Sequence, residues 1–134
     1  MKPHLPRPLW MLLLCTAALC ACSTPPPPPP PAGLAEVMER PAERALLDGI
    51  RAYDDGQYAQ AEKALRKALA EGLQSARDRA TAHKLLAFIS CTSNRLADCE
   101  TQFREARAAD AAFALSRSEA GHPVWGPVYR GTIR

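Results

Sequence analysis

The side chains best suited to chemistry in this 134-residue chain are its five cysteines, Cys15, Cys20, Cys22, Cys91 and Cys99. A thiol can be acylated, oxidised to a disulfide or given to a metal, and its neighbours decide which. Cys91 and Cys99 have no clustered histidines to complete a tetrahedral set, so neither a metal nor any other cofactor is expected. His122 stands without a nucleophile or acid beside it and reads as a structural histidine. The carboxylates fall in patterns such as Glu62/Arg66 and Glu71/Ser75, which are ordinary solvated helix faces. An acid/base pair set in a cleft is what a hydrolase needs, and no such pair is legible. The reading is non-enzymatic.

Cys22 has the most informative surroundings. Residues 1–21 carry a positive start (Lys2, Arg7), an apolar stretch from Leu9 to Leu19 and a close of small residues, the three parts of a secretory signal. The stretch is shorter than the roughly 20 residues that span a bilayer. Leu19-Cys20-Ala21-Cys22 resembles the bacterial lipobox: Leu three places before Cys and a small residue just before it. That resemblance implies cleavage before Cys22, a diacylglyceryl group on its thiol and an acyl chain on the new amino group. Cys20 occupies a place where small residues are commoner; as the acceptor itself it fits worse, because Leu19 would then hold the small-residue position. Several chains together anchor stably, at about 0.8 kcal/mol per buried methylene. Ser23, where the family's sorting habit would place Asp for the other address, implies the periplasmic face of the outer membrane.

Pro25 to Pro31 forms an uninterrupted run. Proline fixes φ and lacks a donor, so the run is expected as extended polyproline II. At about 3.1 Å per residue it holds the rest of the chain roughly 20 Å beyond the acylated end. Such a stretch can also be a ligand for aromatic grooves, but beside an anchor a spacer is the simpler role. Residues 22–33 are therefore read as acylated cysteine and linker. In an exported chain Cys91 and Cys99 are expected as a disulfide, two buried thiols packed as small apolar residues being the alternative.

Roughly 100 residues remain for a folded unit, enough for one modest core. Apolar content is 47% and aromatic content 6%, so that core is built from Ala and Leu, which favours close-packed helices over strands. Of 17 basic side chains, Lys2 and Arg7 lie in the cleaved segment, leaving 15 against 14 acidic ones. That balance offers no electrostatic case for nucleic acid.

Four amphipathic segments occupy residues 34–110. Pro41 suits a first helical position, and Leu46, Leu47, Ile50 and Tyr53 come after it at spacings of three and four. Asp54 to Gln57 breaks that stripe. Tyr58, Ala61, Leu65, Ala68 and Leu69 form a second, stopped near Gly72; a third starts around Ser75 to Asp78, and a fourth carries Leu96, Cys99, Phe103 and Ala106 to about Asp110. Gly49, Gly56, Tyr58, Ala61, Leu65 and Ala68 have the offsets of the tetratricopeptide repeat. A shift of 38 residues reproduces them as Ala87, Asn94, Leu96, Cys99, Phe103 and Ala106. The resemblance implies two tetratricopeptide-like helical hairpins, with Ala61 and Ala68 facing Gly49 and with Leu65 and Phe103 filling the groove to a neighbouring unit. The period exceeds the usual 34, which places extra residues around Glu71 to Asp78, and Ala111 stands where a terminal proline is usual. A plain four-helix arrangement is the alternative. Two units are fewer than such stacks usually need, so a cap is expected from Leu34 to Glu39 or from the tail.

In that tail, residues 111–134, Ser116 to Glu119 has capping-box spacing for one short helical turn. Gly121-His122-Pro123-Val124-Trp125-Gly126-Pro127-Val128-Tyr129-Arg130 holds two prolines, two glycines and two large aromatics. It is expected as an extended segment covering the apolar edge of the second hairpin. The alternative is that Trp125 and Tyr129, with His122, form a partner-facing patch, since such residues dominate binding hot spots.

The lipobox, the proline spacer, Gly56-Gln57-Tyr58, the run HKLLAFISCTSNRLADCETQFREA at 83–106 and GHPVWGPVYR at 121–130 together resemble a small group of proteobacterial TssQ-type lipoproteins associated with type VI secretion. The resemblance covers nearly all of the mature chain. It implies a helical protein-binding scaffold, held to a membrane by its lipid and contacting a protein of a secretion assembly in the cell envelope. A general outer-membrane or pilus assembly lipoprotein, pilotin-like in role, is the alternative.

Overall fold

The computed structural model describes residues 40–133, together with Gly33, Glu36 and Glu39. The signal segment, Cys22 and the proline run lie outside the described residues. Among those described, every regular element is a helix and no strand occurs. Four long helices come first: α1 (Pro41–Asp54), α2 (Tyr58–Glu71), α3 (Ala76–Thr92) and α4 (Leu96–Ala109). Two short ones complete the chain, α5 (Arg117–Ala120) and α6 (Gly126–Thr132).

Each boundary has a local cause. Pro41 opens α1 in the first turn, where its missing N–H has no intrahelical partner to lose. Ser75 caps α3 by accepting from the Asp78 N–H, satisfying one of the orphan donors of a helix start. α2 ends on Gly72 in the left-handed conformation. The turns after α1 and α3 share one hydrogen-bond pattern, displaced by 38 residues. Gln57 N–H reaches Ala52 O at 2.7 Å and Arg95 N–H reaches Ser90 O at 2.8 Å. In each turn one residue takes positive φ, Gly56 at 73° and Asn94 at 58°. These are the residue types that tolerate that region, Asn through its short polar side chain.

α1 packs most closely with α2, and α3 with α4, while α2 also lies against α3. Turns this short force each pair antiparallel. The buried residues form one cluster with Leu46, Leu65, Leu86, Ile89 and Phe103 among its largest members. Small residues set the spacing within the first pair. A Cβ on Gly49 would come within 2.8 Å of the Leu65 side chain, so Leu65 lies directly over this glycine. Leu65 thus takes the place over Gly49 expected for Ala61 and Ala68, which are themselves fully buried.

The tail departs from the expected extended form. Ser116 and Glu119 make the full capping box of α5, but the chain from Gly126 onward is helical. Pro127 occupies the first turn of α6, where proline costs no hydrogen bond. Gly126 is there for clearance, since a Cβ would meet Ala120 O at 2.5 Å. The helix lies on α4 and brings Tyr129 into the common cluster.

Candidate functional site

Three surfaces bring together the side chains on which a function could rest. The first is the aromatic column under the tail. His122 stacks on Trp125 with ring centroids 3.4 Å apart and planes 3° from parallel, and Trp125 stacks on Phe88 of α3 at 4.2 Å. Phe88 meets Phe103 edge-on at 6.1 Å, Phe103 meets Tyr129 at 5.3 Å, and Tyr129 meets Phe113 at 6.3 Å. Such T-shaped contacts are among the favoured arrangements for aromatic quadrupoles. Their polar ends are satisfied as well. Trp125 Nε1 donates to Glu119 O at 2.8 Å, the Tyr129 hydroxyl accepts from Leu115 N–H, and His122 Nδ1 accepts from Val124 N–H. Tyr129 is 6% exposed and so cannot present itself to a partner, whereas Trp125, stacked against both Phe88 and His122, and His122 itself are half-buried. Trp125 and Tyr129 both pack on the core, with His122 stacked over Trp125.

The second surface is the seam between the helix pairs. Glu62 of α2 receives Arg95, at the head of α4, through both oxygens, at 3.1 Å and 2.7 Å, and also receives Arg66 at 2.8 Å. The Arg95 hydrogen bonds, supported by Arg66, outweigh partial burial and hold the Glu62 carboxyl at about 2, well below its ordinary 4.5. Further along, Lys84 of α3 pairs with Glu119 of α5 at 2.8 Å. Burial works against ionisation of Glu119, yet Lys84 and the Ser116 cap together still lower its pKa. Tyr53 goes the other way. Burial first, then Tyr58, Asp54 and Glu119, raise its hydroxyl pKa. Cys91 and Cys99 are joined by a disulfide across the α3–α4 turn, with Cα atoms 5.1 Å apart. The pairing therefore clamps a turn, and both thiols are withdrawn from other chemistry.

The third surface is an open groove of about 740 Å³ between α1 and α2, with Asp48 and Arg51 on one wall and Gln60, Lys63 and Lys67 on the other. A smaller recess of about 370 Å³ continues it past Ala45 and Ala64 to Arg44 and Pro41. Neither this groove nor the Glu62–Arg95 pair was singled out by motif reading. The groove becomes visible when the two halves are compared position by position at the 38-residue offset, where Ala45 and Ala64 answer to His83 and Gln102; the Glu62–Arg95 pair leaves no such trace. Among the described residues no cluster of three or more His, Cys, Asp or Glu could hold a metal ion, and no helix is long and apolar enough to cross a membrane. No protein-family model, curated protein or solved structure matches this chain.

Proposed function

We propose that this protein is a non-enzymatic scaffold of the cell envelope: two tetratricopeptide-like hairpins, tethered through residues 22–33 to acyl chains on Cys22, that bind another protein. The observation that carries the repeat reading is the 38-residue register. Helices α2 and α4 begin at Tyr58 and Leu96, and α1 and α3 end at Asp54 and Thr92. The intervening turns use corresponding hydrogen bonds and corresponding positive-φ residues. Stacked hairpins of this kind offer extended surfaces to partners and carry no chemistry of their own. Export and acylation are supported by the lipobox-like Leu19-Cys20-Ala21-Cys22 and by a disulfide that suits an oxidising compartment. The place of the scaffold is then the periplasmic face of the outer membrane, as an accessory of type VI secretion, which is what the resemblance of residues 83–106 and 121–130 implies.

The test has two arms. Metabolic labelling with palmitate marks the parent protein, and the Cys22→Ala variant loses both the label and at least about tenfold of its membrane association, in line with the energy of buried acyl chains. Affinity isolation from solubilised envelopes recovers a secretion-system component with the parent. An unprocessed N-terminus by mass spectrometry overturns the anchor. Recovery of pilus or outer-membrane assembly components instead overturns the secretion assignment alone.

A further inference from the structure

We infer that the α1/α2 groove is the docking site for an acidic α-helix of a partner protein. The inference rests on the repeat-scaffold reading and names the site and the partner's chemistry. Every position lining the groove has a counterpart 38 residues on, in the α3/α4 pair, where the α4 wall at Ala97, Asp98, Thr101 and Glu105 is likewise exposed but the α3 wall is closed. α2 packs against it, burying Ala82, Leu86, Ile89 and Ser90. His83 and Gln102 reach across it, with Nδ1 and Oε1 2.8 Å apart. In the first pair the counterparts of His83 and Gln102 are Ala45 and Ala64, so the bridging side chains are gone and a cleft remains. The α1 wall of the cleft thus corresponds to the wall of α3 that, in the other half of the molecule, a helix covers.

Its chemistry excludes a third unit of the same kind. The buried Ala82, Leu86 and Ile89 are replaced by Arg44, Asp48 and Arg51, all exposed. An apolar helix laid there would strip water from charges without pairing them. The balance of charge then points to the occupant. Arg44, Arg51, Lys63 and Lys67 line the two recesses against Asp48 and Asp55. Among the described residues Arg44, Arg51, Lys63 and Lys67 take part in no ion pair, as is also true of Arg77, Arg79, Arg107, Arg117 and Arg130, so what sets the groove apart is the gathering of four such cations along one cleft. A helix carrying acidic residues beside a narrow apolar ridge would rest that ridge on Ala52, Ala59 and Ala64 and its carboxylates on these cations, the helix-in-groove mode of recognition with electrostatic complementarity.

The molecule supplies its own probe. A synthetic peptide of the α2 sequence (Tyr58–Glu71), the helix that covers the corresponding wall of α3, serves as the reference; replacing its Lys63, Arg66 and Lys67 by Glu makes it acidic. Titrated against the purified full chain, the acidic peptide is expected to bind about tenfold more tightly than the unmodified one. The difference should vanish near 1 M salt, where charges are screened within a few ångströms. Carbodiimide coupling should join peptide carboxylates to Lys63 and Lys67 and spare Lys84, which is held by Glu119. The Lys63→Glu/Lys67→Glu variant, altered only at exposed positions, should reverse the preference while leaving the melting temperature within a few degrees. Equal affinity for both peptides, no saturable binding, coupling elsewhere, or an unchanged preference in the variant each overturns the site. Concentration-dependent dimerisation that protects the same lysines assigns the groove to a second copy, and equally overturns it. None of these outcomes touches the scaffold reading, which fails only if envelope isolation recovers no protein partner.

Discussion

At the scale of single residues, Glu62 is the side chain with most at stake. It joins the helix pairs through Arg95, and its depressed pKa gives this link a pH signature. Because the folded value lies below the ordinary one, the stabilisation is fully present above about pH 4.5 and is lost as the pH falls toward about 2. Glu62→Gln should therefore lower stability at pH 7 by about 1 kcal/mol, a figure discounted for a partly exposed network. The same variant should flatten the acid limb of the stability curve, and denaturant titrations of both proteins between pH 2 and 7 measure the two effects. Gly49 is decisive for a different reason. Its missing Cβ is the room that Leu65 uses, so Gly49→Ala overpacks the first pair and should cost about 1–3 kcal/mol. That corresponds to a fall of several degrees in melting temperature for a domain this size, readable by calorimetry.

At the scale of elements, the two turns show how one geometry is held by two means. In the first, Tyr53 packs edge-on against Tyr58, with centroids 5.6 Å apart. In the second, Cys91 and Cys99 stand where the first has Tyr53 and Ala61, and the contact is covalent. Cross-linking residues eight apart closes a short loop, for which chain entropy gives about 2–3 kcal/mol. Cys91→Ala/Cys99→Ala should destabilise the domain by about that amount in urea, and thiol reductant should destabilise the parent and not the variant. The α5–α6 tail is the element that the sequence describes least well. Its prolines and glycines read as breakers, yet Pro127 falls in a helix's first turn and Gly126 where two helices must touch.

At the scale of the molecule, the proposed repeat reading raises the question of how so short an array would end. Repeat stacks need polar outer faces, or they continue into aggregates. One end is closed by the tail, whose Trp125, Tyr129 and Phe113 cover α3 and α4. The face of α1 away from the core carries charge instead, with Arg44, Asp48 and Arg51 where the second pair buries Ala82, Leu86 and Ile89. Transplanting the buried set, as Arg44→Ala/Asp48→Leu/Arg51→Ile, should turn that face into an open stacking surface. The triple variant is expected to self-associate at micromolar concentration in sedimentation experiments, where the parent does not.

Much of the fold was written locally. The helical class, the four long helices, their breaks at Asp54–Gln57 and Thr92–Asn94, and the capping box at Ser116 all come from spacing and turn chemistry that act over a few residues. So do the lipobox-like stretch around Cys22 and the short separation of Cys91 from Cys99. Tertiary structure decided what depends on which faces meet. It put Leu65 over Gly49, Arg95 on Glu62 and Tyr129 inside, stacked half-buried His122 on Trp125 and Trp125 on Phe88, and opened a groove where Ala45 and Ala64 fail to bridge. Periodicity tells which side of a helix is apolar. Only the packing of one helix on another decides which charged side chains find partners and which are left to bind something else.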